Sequence, residues 1–126
     1  MEIKIISTPK APIPAGPYSQ AVLSGELLFI SGQLGINPVD GKLQADIQSQ
    51  TRQAMENMEN ILKSQNLTFK NIVKTTIFIT SMSHFQEVNK IYAHYFEEHK
   101  PARSTIEVSA LPLNGLVEIE AIATIK

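Results

Sequence analysis

A two-layer α+β domain, with one mixed sheet and two helices on a single face, is the fold class this sequence predicts. Three observations predict it. The apolar period is two residues at first, becomes three or four, and alternates between these values along the chain. The resulting order is βββ-α-β-α-ββ, and each helix lies between strands, so both can pack on one side of a single sheet. The length, 126 residues, suits one domain over 1–126, large enough to bury one core.

The elements follow in order. "IKIIS" (3–7) reads as a short strand. "TPKAPIPAGPYS" (8–19) holds four of the seven prolines and reads as an ordered extended arm, because proline lacks an N–H and fixes φ. "QAVLSGELLFISGQ" (20–33) predicts two strands turned at Ser24-Gly25-Glu26. From Asp46 onward Ile47, Thr51, Ala54, Met55, Met58, Ile61 and Leu62 recur at helical spacing, opposite Gln48, Arg52, Glu56, Glu59 and Lys63. "NIVKTTIFIT" (71–80) is a β-branched strand with Val73, Thr75, Ile77 and Ile79 on one face and Ile72, Lys74, Thr76 and Phe78 on the other. Ser83 and Gln86 have capping-box spacing ahead of a second helix, whose stripe is Phe85, Val88, Tyr92, Tyr95 and Phe96. "RSTIEVSAL" and "VEIEAIATI" are strands around "PLNG", where Asn114-Gly115 suits a hairpin turn. The second sheet face also carries apolar residues, and a small domain of this kind covers such a face by oligomerising.

Composition excludes several functions. Eleven basic and twelve acidic residues leave a net charge of -1, which gives no bulk attraction for nucleic acid or an anionic membrane. The absence of cysteine removes disulfides, thiolate nucleophiles and Cys-ligated zinc. No apolar run approaches the roughly 20 residues that span a bilayer, and the N-terminus has no signal-peptide pattern, so a cytoplasmic protein is expected. His84, His94 and His99 have no metal-ligand spacing, and no metal is expected.

Taken one at a time, the polar candidates have structural readings. Ser31-Gly32 in "FISGQLG" marks a bulge or a close approach to backbone, Tyr18 a packing tyrosine. Arg103, Thr105 and Glu107 share one strand face, and Glu118 and Glu120 another. Those charges line either a solvated face or a site in which a guanidinium fork meets a carboxylate while a nearby carboxylate works on water.

Six blocks in order, "GPYSQAV", "FISGQLG", "VKTTIFIT", "VNKIYAHYF", "PARSTIEVSALP" and "VEIEAIA", resemble the RidA family, the reactive-intermediate (imine/enamine) deaminases, over nearly the whole chain. The resemblance implies a chorismate-mutase-like fold and a homotrimer with sites between subunits. It also implies hydrolysis of 2-imino acids, small molecules leaked by pyridoxal-phosphate enzymes, to 2-oxo acids and ammonia, with no cofactor. Carried over by residue, it implies that Arg103 binds the substrate carboxylate and Glu118 handles the water. Tyr18, Ser31, Gly32 and Asn89 become substrate-binding candidates, and the backbone of Thr105 helps to hold the carboxylate. Close relatives commonly have cysteine where Thr105 stands, which argues against thiol-dependent behaviour here but leaves the backbone N–H in place. "LPLNG" also lacks the basic residue often found after "LP".

A hairpin turning at Leu113-Asn114 would place Arg103 six residues from the partner of Glu118, roughly 20 Å at ~3.3 Å per residue. One imino acid cannot span that, so a site shared between subunits is expected. The alternatives are a non-catalytic regulator that binds 2-oxo acids and a ribonuclease or translation inhibitor, the latter disfavoured by the charge balance.

Overall fold

The computed structural model describes residues 2–126. Six strands and two helices follow the expected order: β1 (Ile3–Ile6), β2 (Ala21–Ser24), β3 (Leu27–Leu34), α1 (Ile47–Lys63), β4 (Ile72–Ile79), α2 (Phe85–Phe96), β5 (Ala102–Glu107) and β6 (Val117–Thr124). They form one sheet in the order β1-β2-β3-β6-β4-β5. Every pairing is antiparallel except β4 with β5, which is parallel. The fold is the two-layer α+β arrangement that the periodicity predicts.

The expected hairpin between the last two strands does not form. β6 runs between β3 and β4, while β5 lies beyond β4 at the sheet edge. The intervening turn, Pro112–Asn114, holds Leu113 and Asn114 at φ 58° and 59°, and it carries the chain past β4 as a crossover loop, because β5 and β6 both pair with β4 and not with each other. A local turn signal predicts only that the chain reverses; which strand it then joins is decided by the sheet.

Helix α1 forms because its predicted stripe is real. Ile47, Thr51, Ala54, Met55, Met58, Ile61 and Leu62 are all buried. Asp46 accepts from the Ser49 N–H at 2.8 Å, and the Ser49 hydroxyl accepts from the Asp46 N–H at 3.2 Å, satisfying donors that the first turn leaves free. In α2 the expected Ser83–Gln86 cap is replaced. Ser81 caps a short 3-10 turn, Met82–His84, that leads into the helix, and the Ser83 hydroxyl bonds to that of Ser81 at 2.7 Å.

Two irregularities reset which side chains face the core. The β4–β6 register shifts between Ile72 and Lys74, so Ile72 is buried and Val73 is 45% exposed, the reverse of strict alternation. The β3–β6 register shifts between Ile30 and Gln33, at Ser31-Gly32, so the phase of β3 inverts there and Gln33 turns inward. On the helix-covered face one row crosses the whole sheet, Ile6–Ala21–Ile30–Ala121–Thr75–Arg103. Its first five members are buried and Arg103 ends it at the edge. On the open face the corresponding row is Ile5–Val22–Phe29–Ile122–Lys74, with Ile5 and Phe29 substantially exposed. Among the described residues no helix is long and apolar enough to cross a membrane.

Candidate functional site

The sheet distributes the predicted residues over two places. Arg103 and Thr105 lie on β5 and Asn89 on α2, all on the helix-covered side. Ser31, Gly32 and Glu118 lie on β3 and β6, beside the arm that carries Tyr18.

Arg103 is held on three sides. Its Nη1 donates to Asn89 Oδ1 at 2.6 Å, and its guanidinium sits 5.0 Å from the Tyr92 ring centre and 5.7 Å from that of Phe85. Such stacking is worth about 0.5–2 kcal/mol and fixes the plane of the fork. The Tyr92 hydroxyl bonds to Thr75 Oγ1 at 2.7 Å, which fixes the ring in turn. Burial raises the Tyr92 pKa, against smaller lowering effects of Thr75 and Arg103, so the hydroxyl stays protonated. No carboxylate of the described residues lies within ion-pair distance of Arg103. A half-buried guanidinium without a counter-ion has its charge and remaining N–H donors free to pair with an anion.

The edge supplies a second donor. Val108 N–H donates to Ile79 O across the β4–β5 pair. Strand backbone groups alternate in direction, so residues 104 and 106 face β4, whereas the N–H groups of Arg103, Thr105 and Glu107 face the free edge. The Thr105 backbone is thus exposed beside the Arg103 fork, while its Oγ1 is buried without a partner. Behind Arg103, a cavity of about 280 Å³ is lined by Tyr92, Ala93, Phe96, Lys100 and Pro101, among others.

Glu118 occupies a separate cleft of about 220 Å³ with Tyr18, Gln20, Gly32 and Gln33. Desolvation, helped by repulsion from Glu120, raises its pKa above the ordinary 4.5. Gly32 makes room for it: a Cβ there would lie 2.7 Å from Glu118 Cδ and 2.8 Å from Oε2. The bulge and the close approach, alternative readings of "SGQ", are thus one feature. Ser31 donates its hydroxyl to Ser19 O at 2.6 Å and its N–H to Gln20 O at 2.9 Å, tying the bulge to the arm. Its hydroxyl is left only as an acceptor toward a ligand. Tyr18 is 55% exposed, and its hydroxyl accepts from Ala15 N–H at 3.3 Å.

Glu118 pairs with Phe78 on β4, and Arg103 pairs with Thr75 three residues away. Two strand spacings and three residues separate their backbones by about 14 Å, and the side chains leave opposite faces. The hairpin-based distance is therefore replaced, while the separation it implied within one chain stands for a stronger reason. Among the described residues no group of three or more His, Asp or Glu is arranged to hold a metal, and the His99 ring bonds to Ile72 O at 2.7 Å.

Reading by pattern missed Gln20, Tyr92 and Phe85. Gln20 is buried and makes four hydrogen bonds to backbone at Thr8, Ala11 and Pro12, holding the arm over the cleft. The signal for it was the proline density: an arm poor in N–H groups leaves carbonyls that a buried amide can satisfy. Tyr92 and Phe85 looked like ordinary members of an apolar stripe.

A family model described as Endoribonuclease L-PSP matches residues 8–125. A Bos taurus protein named 2-iminobutanoate/2-iminopropanoate deaminase is 47% identical, over 95% of this chain and 88% of its own length. A Yersinia pestis protein of the Rid family superimposes with TM-score 0.96 at 49% identity, covering 98% of this chain and 100% of its own. TdcF of E. coli, solved with bound serine, superimposes with TM-score 0.93 at 40% identity, covering 98% of this chain and 99% of its own.

Proposed function

The chain belongs to the family described as Endoribonuclease L-PSP, that of the RidA proteins, and from this premise we propose that it is a cofactor-independent 2-iminobutanoate/2-iminopropanoate deaminase. It works as a single-domain subunit of a cytoplasmic homotrimer. The observation that carries the reading is the unpaired Arg103 fork beside the outward-facing Thr105 N–H, a carboxylate site at a free strand edge. Serine bound to TdcF supports it, because serine presents a carboxylate of the same size.

Arg103 and the Thr105 N–H of one subunit hold the substrate carboxylate, and Asn89 orients Arg103. The Tyr18–Gly32–Glu118 cleft of a neighbour closes over the other end. The exposed row through Ile5 and Phe29 supports association, since an apolar sheet face of this extent is covered when a partner packs on it. The protonated imine is already electrophilic. Water adds to its carbon, the C=N π electrons move to nitrogen, and a water proton passes to the Glu118 carboxylate. Glu118 then returns that proton to the nitrogen. The carbinolamine collapses as its hydroxyl passes a proton to the Glu118 carboxylate, the C–N bond breaks with its electron pair leaving on nitrogen as ammonia, and Glu118 gives that proton to the ammonia, so that the 2-oxo acid and ammonium leave. The raised pKa of Glu118 suits both duties, because a carboxyl of higher pKa is the better base and the readier proton carrier.

The family description also names a ribonuclease. Against that use stand the net charge of -1 and a Glu118 cleft without a cation in its walls. A coupled assay separates the readings. Threonine dehydratase supplies the imine in place while semicarbazide competes for it. The expected outcome is diversion to 2-oxobutanoate by wild type and none by Arg103→Ala. An unchanged partition with both proteins would remove the deaminase reading, and RNA cleavage lost in Arg103→Ala would replace it.

A further inference from the structure

The cleft that holds Glu118 has an apolar mouth, and one of its lips is a strained residue. Pro12, Ile13, Leu34, Ile36, Pro112 and Leu113 contribute apolar wall, and no Lys, Arg or His lines it. Ile13 and Leu113 are 86% and 65% exposed, so they stand at the opening and not in the packed interior. Leu113 has φ 58° and ψ 24°, the left-handed conformation that a Cβ disfavours. Asn114, at φ 59°, is the kind of residue that tolerates it; leucine is not. The turn would be better served by glycine or asparagine at 113, and the core gains little from so exposed a side chain. What an apolar side chain adds at this position is contact with an occupant of the cleft.

We propose that Leu113, with Ile13 opposite, determines specificity, and that the favoured substrates are 2-imino acids with apolar side chains longer than ethyl. This rests on the deaminase reading. With the carboxylate on a neighbouring Arg103 and the imine carbon beside Glu118, the remaining substituent lies in the apolar mouth. A polar side chain would lose water there without gaining partners. An acidic one would meet Glu118 and no cation. The substrates therefore come from reactions that oxidise the amine-bearing α-carbon of aliphatic or thioether amino acids.

The test measures kcat/KM for the imines of leucine and alanine, generated in place by an amino-acid oxidase with catalase present and trapped by semicarbazide. Leu113→Asn keeps the left-handed backbone and removes the apolar group; Ile13→Ser alters the other lip without touching the turn. Wild type is expected to favour the leucine imine by about tenfold, and each variant to lose about that factor in the leucine-to-alanine ratio. An unchanged ratio in both variants overturns the assignment. So does an equal loss on both imines with a change in mass by light scattering, which would make the lip a subunit contact. Wild-type hydrolysis of alanine imine with no gain for leucine imine sinks the lip alone. Hydrolysis of neither sinks the deaminase reading and the lip with it.

Discussion

Glu118 and Gly32 act as one unit, since the carboxyl lies where any other residue at position 32 would put its Cβ. Gly32 has an ordinary φ, so alanine is tolerated by the backbone and the flexible Glu118 side chain gives way. Gly32→Ala is expected to leave melting nearly unchanged and to lower kcat by about 10²-fold, as a displacement near 1 Å does, in steady-state imine hydrolysis. Glu118 also sets a pH dependence. Its folded pKa lies above the ordinary value, so the folded protein binds that proton more tightly. The stability this contributes is present below about pH 4.5 and is lost as pH rises through the raised pKa. Glu118→Gln is therefore expected to melt higher than wild type at neutral pH and alike in acid. Equal melting at both pH values would contradict this. At Arg103, Tyr92→Leu removes the stacking face but spares the Asn89 bond. It is expected to raise KM several-fold, to about tenfold, with little change in kcat, because the fork binds substrate and transition state alike. Arg103 and Glu118 were legible as candidates because strand alternation and motif context mark them. Tyr92 was not, because a ring that orients a cation has the same helical spacing as one that fills a core.

At the scale of elements, helix α1 positions the cleft although none of its residues lines it. Gln50 accepts from Leu116 N–H at 2.8 Å and donates to Gln44 O at 2.9 Å, joining the loops before β6 and before α1. Asn57, fully buried, donates to Leu34 O at 3.2 Å and Ile36 O at 2.9 Å, the end of β3. These contacts require the helix to come close, and Gly35 permits it: a Cβ there would lie 2.4 Å from Gln50 Cα. Backbone cannot yield as a side chain does, so Gly35→Ala is expected to destabilise by about 1–3 kcal/mol in denaturant unfolding. A loss below ~0.5 kcal/mol would show that the helix shifts freely. The apolar stripe of α1 was legible because burial enforces its period. Gln50 and Asn57 were not, since a polar residue reads as surface until the carbonyls it serves are known.

For the whole molecule, the decisive fact is that Arg103 and Glu118 leave opposite faces of one sheet, with β4 between their strands. If each site takes its arginine and glutamate from different subunits, two inactive variants must complement. Arg103→Ala and Glu118→Gln chains, unfolded together and refolded as mixed trimers, are expected to recover about a quarter of wild-type activity, since one site in four draws both intact residues. No recovery, with mixing confirmed by mass, would sink the shared site. The sequence by itself determined the order of elements, the buried stripe of α1, the Ser31-Gly32 irregularity and the identity of the site candidates. Each of these follows from local period, backbone freedom or motif. Only the tertiary structure decided that β6 inserts between β3 and β4, that Arg103 stands on Tyr92 and Asn89, and that Glu118 faces away from it. Strand partners are chosen by burying the most surface across the whole sheet, and no local pattern encodes that competition.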